Sequence, residues 1–284
     1  MTHVRNPAPS LVIFDLDGVI YRGSDAVPGA AQLVNALRRK GILTSFATNN
    51  SMATRRAYVD RLAAHGITAT LDEIVTSSSA TVAYLQAHLP EVRRVLAVGA
   101  DGLLAELRDG GIVATPAAEA APDDWNGGAL PERYDAVVAG LDQRIDYRRL
   151  GIAAAAIRAG ARFIATNADV RFPTPDGFVP GAGAVVAALR ATSGQDPVVV
   201  GKPEPGMFQA ILERTGVEAE NALVVGDNPD ADIVAARRAG ITSVLVLTGV
   251  ADAAAAGGLR GERRPDQVAD GPAEVGALLG VRLS

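Results

Sequence analysis

Two acidic residues two positions apart, Asp15 and Asp17, follow directly on the apolar run Leu11-Val12-Ile13-Phe14 and precede Gly18. Carboxylates that close repel, and at least one pKa rises unless a cation is shared between them. The usual solution is a hard cation held by oxygen, and Mg2+ is the commonest. Taken alone, Asp-Leu-Asp-Gly also reads as a turn whose Asp side chains cap backbone amides. Three more polar clusters weigh against the turn: Thr48-Asn49-Asn50, Lys202, and Asp227 with Asp232 nearby. Carboxylates, a hydroxyl with amides and a single ammonium suit a metal-bound phosphoryl group.

The residue types divide the labour. Asp15 can attack phosphorus as a carboxylate nucleophile, giving an aspartyl phosphate that water later hydrolyses. Asp17 can protonate the leaving oxygen and afterwards deprotonate the water. Mg2+ would be held by Asp15, Asp227 and the backbone carbonyl of Asp17. Thr48, Asn49, Asn50 and Lys202 can hold the phosphoryl oxygens, where electrostatic stabilisation supplies most of the catalysis. Thr48-Asn49-Asn50 has an alternative as a helix cap, and Asp230 reads as an N-cap before Ile233. Lys202 could also be a solvated strand-end lysine, although Gly201 and Pro203 on either side favour a fixed place.

These clusters need strands to present them. Short apolar runs alternate with helical patterns, as in βαβ units around a parallel sheet. Leu11–Phe14, Ile42–Ala47, Val198–Val200 and Leu223–Val225 read as buried strands with one polar cluster past each carboxyl end. In open α/β sheets that end is the ligand crevice, so neighbouring strands would bring the clusters together. Between them lies a second α/β pattern, with strands near Val95–Val98, Ile112–Val113, Ala136–Ala139 and Phe163–Ala165. Thr115–Arg133 reads as an irregular loop. Gly181-Ala182-Gly183 lacks the strand and the final small residue of a dinucleotide fingerprint and reads as a hinge.

Composition removes several alternatives. With 284 residues, 48% hydrophobic and 21% charged, the chain is an ordinary globular one, long enough for two domains. A net charge of −5 and 4% aromatic content argue against nucleic acid as the partner. Without cysteine there is no thiolate nucleophile or thiolate zinc site, and His3, His65 and His88 lack ligand spacing. No membrane span and no export signal is seen, so a cytoplasmic protein is expected.

Asp15-Leu16-Asp17-Gly18-Val19, Thr48-Asn49-Asn50-Ser51, Gly201-Lys202-Pro203 and Gly226-Asp227-Asn228-Pro229-Asp230-Ala231-Asp232-Ile233 resemble the four ordered motifs of the haloacid dehalogenase superfamily. Tyr21-Arg22-Gly23, Thr166-Asn167-Ala168-Asp169, Phe172-Pro173-Thr174 and Pro180-Gly181-Ala182-Gly183 make the chain similar to its NagD and p-nitrophenyl phosphatase branch. That branch also holds phosphoglycolate, glycerol-phosphate and pyridoxal-phosphate phosphatases. The resemblance implies a Rossmann-like core over 1–81 and 185–284, with a smaller α/β cap inserted over 82–184. It implies a Mg2+-dependent phosphatase for a small phosphorylated metabolite, with a short polyol or carboxylate phosphate preferred. Nucleoside monophosphate, sugar phosphate and pyridoxal phosphate stay open as substrates. Asp232 is expected to support Lys202 or a metal-bound water, although Ala231 stands where many relatives carry Thr. Asn167 and Asp169, in the cap, either reach the substrate or cap their own loop. A homodimer through the cap is expected. The competing classes are a phosphotransferase, a receiver-like signalling protein and an inactive phosphate-binding scaffold.

Overall fold

The computed structural model describes residues 8–174 and 177–283; His3 and most of the segment read for an export signal lie outside them. The chain forms two compact units, an α/β core and a second α/β unit. The first runs to Thr48, takes in Val59–Val75 and resumes at Lys202. The second comprises Asn49–Tyr58 and Thr76–Gly201. These divisions fall at other residues than the expected 81/82 and 184/185.

The sheet of the first unit has the order Gln267–Ala269, Thr242–Val246, Ala222–Gly226, Leu11–Phe14, Leu43–Thr48, Ile74–Thr76. Leu11–Phe14 is parallel to both of its neighbours, and its residues are buried without alternation, as in a strand covered on both faces. Register then does the positioning. Phe14 lies opposite Val225 on one side and Phe46 on the other. The Asp15 N–H donates to Val225 O at 2.9 Å, which carries the ladder one residue further. The three central strands therefore run out at nearly one level, where Asp15, Thr48 and Asp227 stand. The helix Ala30–Arg39 packs against Leu43–Thr48 and buries Ala30, Leu33, Val34, Ala36 and Leu37, one apolar stripe. Arg38 and Arg39 sit in its last turn, where the helix dipole favours cations.

The second unit is built on a parallel sheet of order Val198–Val199, Arg162–Ala165, Ala136–Ala139, Arg94–Val98, Val113–Pro116. Leu96, Val137, Ile152, Ile157, Phe163 and Leu189 centre its core. One expectation is corrected here. Val198 and Val199 pair with Ile164 and Ala165, so they edge the second sheet and are no strand of the first. A run of valines specifies a strand, whereas the choice of sheet is a long-range pairing. The hinge reading of Gly181–Gly183 is also corrected, since these residues lie inside the second unit. Gly181 N donates to Val170 O at 3.0 Å and Gly183 N to Asp169 O at 2.9 Å. After Val113–Pro116 the 117–133 stretch is irregular, as expected, yet it is packed. Ala117 and Ala120 are buried, Trp125 lies against the core, and Arg148 donates to the carbonyls of Ala118, Ala121 and Pro122.

Candidate active site

The site of the first unit begins with an ammonium. Lys202 is 2% exposed, and its Nζ lies 2.6 Å from Asp15 Oδ1, 2.6 Å from Asp232 Oδ1 and 3.1 Å from Ala47 O. A lysine has three donors, and here three acceptors meet them. Burial works against the charged form, but Asp15 and Asp232 overturn that and hold the Lys202 pKa above its ordinary value. Asp232 accepts on its other oxygen from the Asn228 N–H at 3.0 Å. Its carboxylate is thus spanned between the lysine and a backbone amide.

Asp227 ends the neighbouring strand. Its Oδ2 accepts from the Val250 N–H at 2.7 Å, and its backbone carbonyl accepts from Ala251 N at 3.2 Å. Gly18 explains why its motif needs glycine: its φ is +79°, and a Cβ there would lie 2.3 Å from Asp227 Oδ2. The turn after Asp17 is closed by Gly18 N donating to Tyr21 O at 2.7 Å, with Thr248 Oγ1 donating to Gly18 O at 2.6 Å.

Asp15, Asp227 and Asp232 each bring a carboxylate oxygen within 4.8 Å of the other two. When all three are ionised, these carboxylates exceed the charge of Lys202 by two. The Asp15 pKa is accordingly raised well above the carboxylate range by burial, with Asp232 and Asp227 adding repulsion and Lys202 opposing. Asp227 is pushed up to about 7, by burial first and the Asp232 charge second. Burial also raises Asp17, while Arg61 and Lys202 draw it down. An all-oxygen donor set short of two positive charges is what a hard divalent cation fits. Asp17 contributes no carboxylate to that trio, so its expected part in holding metal rests on its backbone carbonyl.

The structure keeps Asp15, Asp17, Thr48, Lys202, Asp227 and Asp232 in the first unit, and Thr48 is 3% exposed. Asn49, Asn50, Asn167 and Asp169 belong to the second, where Asn49 Nδ2 lies 3.0 Å from Asp169 Oδ2. Asp230 is no cap. Asn228 accepts from its N–H at 2.9 Å, and Asp230 faces Arg263 at the surface. Three contributors escaped the sequence reading. Thr248 and Val250 follow the strand Thr242–Val246, and the strand-end rule applied to that strand would have found them. Arg61 stacks 3.7 Å from the Tyr21 ring centre and donates to Gly23 O, holding the short hairpin of Tyr21–Arg22 and Asp25–Ala26 beyond Asp17; no sequence signal marks it.

A family model described as haloacid dehalogenase-like hydrolase matches residues 12–113, and a HAD-hydrolase-like model matches 199–275. The chain is 37% identical over 238 residues to an acid sugar phosphatase of Staphylococcus epidermidis, covering 84% of this chain and 86% of that one. It is 38% identical over 252 residues to phosphoglycolate phosphatase 2 of Arabidopsis thaliana, with 84% and 82% covered. Among solved structures, a glycerol phosphate phosphatase from Mycobacterium tuberculosis in complex with magnesium superposes with a TM-score of 0.82. It is 36% identical, with 93% of this chain and 76% of that one covered.

Proposed function

Because the chain belongs to the haloacid dehalogenase-like hydrolases, we propose that it is a magnesium-dependent phosphatase of small phosphate monoesters. The observation that carries this reading is the trio Asp15, Asp227 and Asp232, whose carboxylate oxygens lie within 4.8 Å of one another, with Lys202 paired to Asp15 and Asp232. Asp15 forms a bond to phosphorus as the ester P–O bond breaks, and Asp17 gives its proton to the departing oxygen. Burial raises the Asp17 pKa, which suits a group that must start protonated. Water then attacks phosphorus and yields its proton to Asp17, and the Asp15–phosphorus bond breaks to free inorganic phosphate. Lys202 and the Thr48 hydroxyl hold the phosphoryl oxygens, while Asp232 keeps Lys202 charged and aimed. Asp15, Asp227 and the Asp17 carbonyl would hold the magnesium, which when bound neutralises the negative charge gathered between phosphate and carboxylates.

Sugar, phosphoglycolate and glycerol phosphate relatives share the fold, so the substrate is set by details that differ among them. Our preference is a short polyol or carboxylate phosphate. No described helix is long and apolar enough to cross a membrane, in keeping with a substrate taken from water. The test is phosphate release from glycerol phosphate, phosphoglycolate, hexose phosphates, nucleoside monophosphates and pyridoxal phosphate, with magnesium and with a chelator. Release should vanish with chelator and fall by at least about a thousandfold in Asp15→Asn. Full activity in that variant excludes the covalent route.

A further inference from the structure

Asn49 directly follows Thr48, and within the second unit several distant segments of the chain converge on it. Its Nδ2 lies 3.1 and 3.0 Å from the two carboxylate oxygens of Asp169. Its backbone carbonyl accepts from Asn167 Nδ2 and from Ser77 Oγ, each at 2.7 Å. Asn167 Oδ1 accepts in turn from the Asp169 N–H at 3.1 Å, so one short loop sets both groups. An ionised carboxylate only accepts, which forces the Asn49 NH2 toward Asp169. The amide oxygen then faces Gly201, where a Cβ would lie 2.7 Å from it and 2.4 Å from Thr166 O. Asn49 and Asn167 are 8% and 3% exposed, so the two bonds to the Asn49 carbonyl are made away from bulk water, while the charge-assisted pair with Asp169 is part-buried.

We propose that Asp169 and Asn167 are positioning residues that act through Asn49 on the adjoining Thr48, and that substrate is not what they touch. Asp169 fixes the side-chain amide of Asn49 and Asn167 fixes its carbonyl. Together they set the backbone that leaves the strand at Thr48. The proposal rests on the phosphatase reading above, in which Thr48 holds a phosphoryl oxygen. A group reading the leaving alcohol would discriminate between substrates, whereas a group that sets the phosphoryl pocket acts on all of them alike.

The experiment measures kcat and KM for wild type, Asp169→Ala, Asp169→Asn, Asn49→Ala and the Asn49→Ala/Asp169→Ala pair. p-Nitrophenyl phosphate, glycerol phosphate and a hexose phosphate serve as substrates, with a thermal melt of every protein. Asp169→Ala should lower kcat by roughly tenfold to a hundredfold, by one common factor, leaving the ratios of KM between substrates as they were. Asp169→Asn keeps an acceptor oxygen and should recover most of that loss. It also carries the test should Asp169→Ala fail to fold. With Asn49 already alanine, removing Asp169 should cost nothing further. A KM rise confined to one substrate, or additive effects of the two substitutions, overturns the proposal. A wild-type protein that releases phosphate from none of the esters overturns the phosphatase reading instead.

Discussion

Buried carboxylates are treated differently in the two units. In the second, Glu106 is 4% exposed and accepts from Arg55 through the backbone N–H at 2.9 Å and the guanidinium at 3.1 Å. Asp142, also buried, accepts from Arg144 N at 2.8 Å and faces the Arg149 guanidinium at 3.4 Å. Each of these acids has an arginine beside it. In the first unit Asp15, Asp227 and Asp232 gather their carboxylate oxygens within 4.8 Å of one another, and Lys202 pairs with Asp15 and Asp232. One acid to one cation is how a buried charge is made tolerable, whereas an excess of acid marks a place built for something else to bind. The strand ends repeat the contrast. Asp15 and Asp227 end strands of the first sheet, while Gly99, Gly140 and Thr166 follow strands of the second. Two sheets of similar architecture thus differ in chemistry through a few terminal residues.

The contrast breaks most visibly at Lys202. Lys202→Met should lower kcat roughly a hundredfold to a thousandfold in a phosphate-release assay. It should also cost about 3 kcal/mol of stability in chelator at pH 8, because the acids lose their counter-charge. Asp227→Asn is expected to do the opposite to stability while also losing activity. The folded-state pKa of Asp227, about 7, lies above the ordinary value of ~3.9, so ionising it opposes folding. In chelator the variant should gain on the order of 4 kcal/mol over wild type at pH 8, about three pKa units at ~1.4 kcal/mol each. That gain should build up between about pH 4 and pH 7 and be missing below pH 4. Urea titrations along the pH series read it directly, and a variant no more stable than wild type at pH 8 would contradict the charge excess.

Acids of the second unit should behave in the conventional way. Glu106→Ala is expected to cost about 2 kcal/mol in urea denaturation, by leaving Arg55 and its N–H without their acceptor, while kcat of the folded protein is kept. The smallest effect belongs to Asp135, whose Oδ2 accepts the Arg93 and Arg94 N–H groups at 2.8 Å each. Those bonds lower its pKa. Its contribution is therefore present above the unfolded value of ~3.9 and lost as pH falls through the lower folded value. Because this carboxylate is exposed, Asp135→Asn should cost only about 0.5 kcal/mol at pH 7, and nothing once both pKa values are passed.

Most of the first unit's site could be read from local pattern. Short, largely apolar runs specify buried strands, and the polar residues just past each are found by counting. Asp15, Asp17, Thr48 and Asp227 are legible for that reason, and so was the existence of a second α/β pattern. Lys202 was found by the same rule through a mistaken route, since the strand before it belongs to the other sheet. Its place between Asp15 and Asp232 depends on contacts across 187 and 30 residues.

Residue order along the chain was enough to specify the fold class, the strand-end acids and the chemistry they suit, because period, burial and turn formation are local properties. Which sheet Val198 joins, which acids share the lysine, and that Asn167 and Asp169 grip Asn49 were settled by folding. Those are pairings between distant segments, chosen by burial and hydrogen-bond satisfaction summed over the whole unit, and no window of sequence contains that sum.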